Sequence, residues 1–93
     1  MPRYLIERAF GEVVQEDMQE IGQRMKRINA EQFPEIVWEH SHVVSDESGI
    51  KSYCVYEAPS EERLREAGEA VGRHTITRIY ALAGDVKPAD FPG

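Results

Sequence analysis

Apolar residues recur along this chain at two different spacings, and the points where one spacing gives way to the other mark out six elements. From Arg3 to Phe10 the run is rich in aromatic and aliphatic side chains and closes at Gly11, as a first strand does. Met18, Ile21, Met25 and Ile28 then fall three and four apart, with Glu16, Glu20, Arg24 and Arg27 off that stripe. This predicts an amphipathic helix whose methionines pack against a sheet, with Gly22 beside the stripe allowing close approach. Phe33-Pro34 stops the helix. Between Ile36 and Val44 the period becomes two. Alternation would place Trp38, His40, His42 and Val44 on one face and Val37, Glu39, Ser41 and Val43 on the other. A polar turn at Asp46-Glu47-Ser48-Gly49 leads into a strand from Ile50 to Glu57, which makes an antiparallel hairpin.

The segment KSYCVYEAPSEERLREAG, Lys51 to Gly68, specifies a strand-to-helix junction. Strand-type residues Tyr53, Val55 and Tyr56 stop at Pro59, Ser60 can accept from the free N–H groups of the first turn, and Glu61 and Glu62 suit the positive helix end. Leu64, Ala67 and Val71 mark the inward side, and Gly72 is placed as a left-handed stop. Thr75 to Leu82 reads as the last strand. The order βαββαβ with right-handed crossovers predicts an α+β, ferredoxin-like plait: a four-stranded antiparallel sheet with both helices on one face. Residues 1–83 would form one domain, and residues 84–93, with Pro88, Phe91 and Pro92, an extended tail. Helices on one side leave the other side of the sheet bare. Because that side is not uniformly polar, a second copy of the chain is its expected cover, in a homodimer of the dimeric α/β barrel type.

Composition narrows the partners. Ninety-three residues allow one thin core. Eleven basic against seventeen acidic residues give a formal charge of -6, which repels phosphate backbones and anionic lipid, so neither nucleic acid nor membrane is expected. The cluster Arg24 to Arg27 reads as a solvated helix face. A single cysteine excludes an intrachain disulfide framework, and with no apolar leader or spanning run the expected location is the cytoplasm.

Few residues point to chemistry. His40 and His42 project from one face of a strand about 7 Å apart, close enough to share a transition ion if their rotamers converge, and imidazole nitrogen suits Ni, Cu or Zn. Cys54 on the paired strand joins them if the hairpin register turns it to the same side, and Glu39, Asp46 or Glu57 could complete a shell. Two exposed strand histidines without a metal fit the same spacing. His74, just past the second helix, reads as a C-terminal cap favoured in its protonated form, and Cys54 as a small core hydrophobe. There is no GxSxG, no phosphate-binding glycine loop, no CxxC and no HExxH.

Taken together, MPRYLIER at the start, VWEHSHVVSDESGIKSYCVYEAPSEERLREAG in the middle and TITRIYAL near the end resemble a family of small bacterial proteins, largely of unknown function, that includes actinobacterial nickel-binding proteins. The resemblance runs from Pro2 to about Leu82, with Tyr53–Ala67 as its most specific element. It implies a ferredoxin-like dimer that coordinates Ni2+ at its surface through histidine and carboxylate groups, in metal sequestration rather than catalysis. Many relatives carry a histidine in the second helix where this chain reads Arg65-Glu66-Ala67-Gly68, so the ligand candidates His40, His42 and Cys54 rest on strand spacing alone. The alternatives are a dimeric-barrel enzyme acting on a small apolar compound near Trp38, Tyr53 or Tyr56 with His40 or His42 as acid/base, and a non-catalytic interaction or stress-response module.

Overall fold

A computed structural model describes residues 1–13 and 15–93. Six main elements follow in the expected order: β1 (Arg3–Ala9), α1 (Gln15–Gln32), β2 (Val37–Asp46), β3 (Gly49–Glu57), α2 (Glu61–Val71) and β4 (Thr75–Ala81). The strands form one antiparallel sheet in the order β2-β3-β1-β4. That is the ferredoxin-like plait.

The local signals act as their chemistry dictates. Ser60 accepts from the Arg63 backbone N–H at the start of α2, and Gly72, at φ 71°, ends it by donating to the Gly68 carbonyl. The hairpin turns through two residues, Glu47 and Ser48, with Asp46 accepting from both the N–H and the hydroxyl of Ser48. Gly49 takes φ 113°, a region closed to most side chains, while its Cα faces the Gly11 carbonyl.

One layer of core lies between the sheet and the helices. Ile6 of β1, Cys54 and Tyr56 of β3, Met25 and Ile28 of α1 and Leu64, Ala67 and Val71 of α2 pack together, and Phe10, Ile21 and Ile50 form a smaller cluster at the hairpin end. The helices dock side by side, Arg24 donating to the carbonyls of Val71 and Ala70. Arg63 ties α2 to the α1–β2 connection through Glu35, the Gln32 carbonyl and the Phe33 ring, 4.3 Å from its centroid. Close approach falls at Gly68 rather than at Gly22. A methyl group on Gly68 would come within 2.7 Å of Ile76, whereas Gly22 has open space beside it.

Strict alternation along β2 does not hold. Trp38 pairs with Tyr56 and His40 with Val55, so Glu39 is an extra residue, a bulge. Its carboxylate takes two hydrogen bonds from the Arg3 guanidinium, at 2.8 and 3.0 Å, which holds the bulge against β1. Trp38 consequently turns inward beside Ser41 and Val43, stacked 6.2 Å from Tyr56, while Val37, His40, His42 and Val44 share the bare face. β4 carries a similar irregularity around Thr77. Beyond it Asp85 pairs with Arg3 at 2.9 Å, and Pro88–Asp90 makes a single 3-10 turn in the tail.

Candidate metal half-site and the core beneath it

β2 presents His40 and His42 side by side on the bare face, both exposed, with ring centroids 5.4 Å apart and planes nearly perpendicular. A metal bound at about 2 Å to one nitrogen of each ring sets the centroids roughly 4.5–5.5 Å apart at bond angles of 90–110°. The observed separation already matches that requirement.

The rest of the expected shell does not gather there. Cys54 pairs with Ser41, which puts it on the helix-facing side of β3, 2% exposed, and away from both histidines. The two-residue turn, with Asp46 opposite Gly49, sets this register, so the expected grouping of Cys54 with His40 and His42 is not formed within one chain. Glu39 adjoins His40 but is engaged by Arg3, which holds its carboxyl below the usual range. Asp46 is committed to the hairpin turn, and Ser48 likewise holds its carboxyl low. Among the described residues no three His, Cys, Asp or Glu side chains converge. Cross-strand neighbours extend the bare face into two rows: His40, Val55, Leu5 and Tyr80, then His42, Tyr53, Glu7 and Arg78.

His74 also departs from expectation. Its Nδ1 lies 2.8 Å from the Gly72 carbonyl and its ring 5.5 Å from Phe10. Burial, and then the nearby Arg8 charge, push its pKa below 6.5, outweighing the carbonyl contact that favours the proton. Its place at the helix end therefore does not favour the protonated form as expected.

The residue that sequence reasoning missed is Arg8. It is 2% exposed, on the helix-facing side of β1, and no carboxylate pairs with it among the described residues. Its Nη1 reaches Tyr56 Oη at 3.2 Å, Cys54 Sγ at 3.3 Å and Met25 Sδ at 3.7 Å, and its Nε has no partner. Ser52 Oγ lies 3.3 Å from the same sulfur. The signal was available: Arg8 stands two residues from Ile6 in a strand whose inward face Ile6 defines.

A cavity of about 130 Å³ adjoins this cluster, walled by Met18, Gly22 and Met25 of α1 and by Trp38, Ser52 and Cys54 of the hairpin. It contains no histidine, so the acid/base group on which the catalytic alternative was built lies on the other side of the sheet.

Element order, sheet order and single helical layer define the class, a ferredoxin-like α+β domain with an exposed histidine pair on its open face. Within that class, residues 4–82 match the family described as nickel responsive protein, SCO4226-like, and the chain belongs to it. The crystal structure of SCO4226 from Streptomyces coelicolor A3(2) superposes with a TM-score of 0.67 at 16% identity, covering 90% of this chain and 99% of that one. At that identity the likeness concerns the fold. No curated protein matches in sequence. Among the described residues no helix is long and apolar enough to cross a membrane.

Proposed function

We propose that this chain is a cytoplasmic homodimer that binds Ni2+ as cargo, with His40 and His42 forming one half of each surface site. The observation that carries the reading is the exposed imidazole pair at chelating separation in a member of a nickel-responsive family. Neutral imidazole suits Ni2+, and two such ligands leave positions for water or for carboxylates of a second copy.

The same face supports the dimer. Val37, Val44 and Tyr80 are 44, 42 and 40% exposed there, around a centre made by Leu5, Tyr53 and Val55. An identical partner is the economical cover for such a surface. β2 is an edge strand, so its histidines would sit at the rim of that interface, within reach of a metal ion from solution.

Calorimetric titration of Ni2+ into the parent and into His40→Ala/His42→Ala tests the site, with sedimentation equilibrium run alongside. Saturable binding lost in the double variant is expected, with a dimer in both. Equal heats in the two proteins would remove these ligands, absence of binding in the parent would remove nickel, and a monomer at micromolar concentration would remove the interface.

A further inference from the structure

Burying a guanidinium without a counter-charge costs several kcal/mol, and side chains tolerate it only when something else supplies the anion. Around Arg8 nothing in the described chain does. Its three contacts are a phenol, a thiol and a thioether, all weak or neutral acceptors, and its Nε faces none. Desolvation raises the Tyr56 pKa, which keeps that phenol uncharged.

The cavity between α1 and the β2–β3 hairpin adjoins this cluster. Met25 and Cys54 both line it, and the sulfur of each touches the guanidinium, so these two side chains form a partition between the space and the charge. Met25 is the movable half of that partition, because an unbranched thioether has several low-cost rotamers. At about 130 Å³ the cavity is near the roughly 150 Å³ that holds a benzene molecule in a comparable apolar void. Its walls are mostly apolar, with Ser41, Ser52 and Cys54 as the polar positions toward the sheet.

We infer that this cavity is a binding site for a small organic carboxylate with an apolar body the size of one ring, whose carboxylate pairs with Arg8 after Met25 swings aside. Such a ligand satisfies both halves of the site: apolar body against Met18, Trp38 and the open side of Gly22, bidentate anion on a guanidinium fork. The site needs neither nickel nor a second copy of the chain, so it stands apart from the function proposed above.

Benzoate and its uncharged isostere benzamide are the probes, titrated with a chelator present into protein carrying 13C-methyl methionine. Saturable shifts of Met18 and Met25, with Met1 unmoved, are expected, and benzoate should bind at least tenfold tighter than benzamide. Arg8→Met should erase that preference. Gly22→Leu, which fills the cavity from a position with open space beside it and leaves Arg8 in place, should weaken benzoate at least tenfold. Equal affinity for the two probes, no saturable shift by 10-millimolar order concentrations, or benzoate binding undiminished in Gly22→Leu would each overturn the assignment. The last readout holds even if Arg8→Met does not fold.

Discussion

Tyr56→Phe measures how far the core depends on quieting Arg8. The phenol is 1% exposed; it accepts from Arg8 Nη1 at 3.2 Å and donates to Met25 Sδ at 3.0 Å. Removing its oxygen leaves that nitrogen with two sulfurs, both poor acceptors. A hydrogen bond to a charged group is worth about 1.5–3 kcal/mol, so a loss of roughly 2 kcal/mol is expected. For a domain of this size that lowers Tm by about 8–16 °C and the urea midpoint by about 1–2 M. Arg8→Met replaces the charge with a side chain of similar length and should change stability by no more than about 1 kcal/mol, since an ill-paired buried charge is often replaced without loss. In that background the phenol has only Met25 to serve, and Tyr56→Phe should cost about 0.5 kcal/mol. The double-mutant cycle, read by urea unfolding with tryptophan emission and circular dichroism, should therefore give a coupling near 1.5 kcal/mol. Coupling below about 0.5 kcal/mol would refute the reasoning, because it would mean that Tyr56 supports the core by packing alone.

Acid should weaken the fold in two steps. His74 binds a proton less readily when folded than its ordinary 6.5, so as pH falls below that value the unfolded chain is favoured, and His74→Gln should flatten this first step. Glu35 and Glu39, held ionised by Arg63 and Arg3, and Asp46, held by Ser48, bring the second loss below about pH 4.5; urea midpoints that rise between pH 7.5 and 5.5 would contradict the first. Gly49→Ala should cost at least about 2 kcal/mol, because φ 113° is closed to alanine and its Cβ would strike the Gly11 carbonyl, whereas Gly84→Ala, in open space, should melt like the parent. Deleting Glu39 should leave Trp38 opposite Tyr56 and His40 opposite Val55, so the emission of the sole tryptophan should not shift to the red; a red shift would show that the bulge does not set the facing of β2.

Elements that depend on near neighbours were legible before any coordinates. Ser60 caps α2 because its oxygen is three residues from the N–H it serves, and Gly72 ends that helix because only a residue tolerant of positive φ fits there. Met25 and Ile28 pack inward because their spacing leaves them no other direction. The histidine pair on one face was legible for the same reason, since a bulge outside the interval His40–His42 moves both together.

What surrounds the pair was not legible. Cys54 was placed with the histidines on one possible register, but pairing back from the hairpin turn puts it on the helix side; Trp38 was expected beside them, and one extra residue at Glu39 turns it to that side too. That residue is held in place by Arg3, which is 36 positions away in the chain. His74 illustrates the same limit. Its helix-end position favours the proton, yet packing against Phe10 and the charge of Arg8 decide otherwise.

Composition and periodicity by themselves determined the element order, the plait, the open sheet face and the two neighbouring imidazoles. Tertiary structure alone decided which side chains face the helices, that a lone guanidinium is sealed among sulfurs and a phenol, and that a small apolar space opens beside it. The division has one physical cause: caps and alternation act over a few residues, whereas register and the electrostatics of a buried group depend on partners that only the closed sheet brings together.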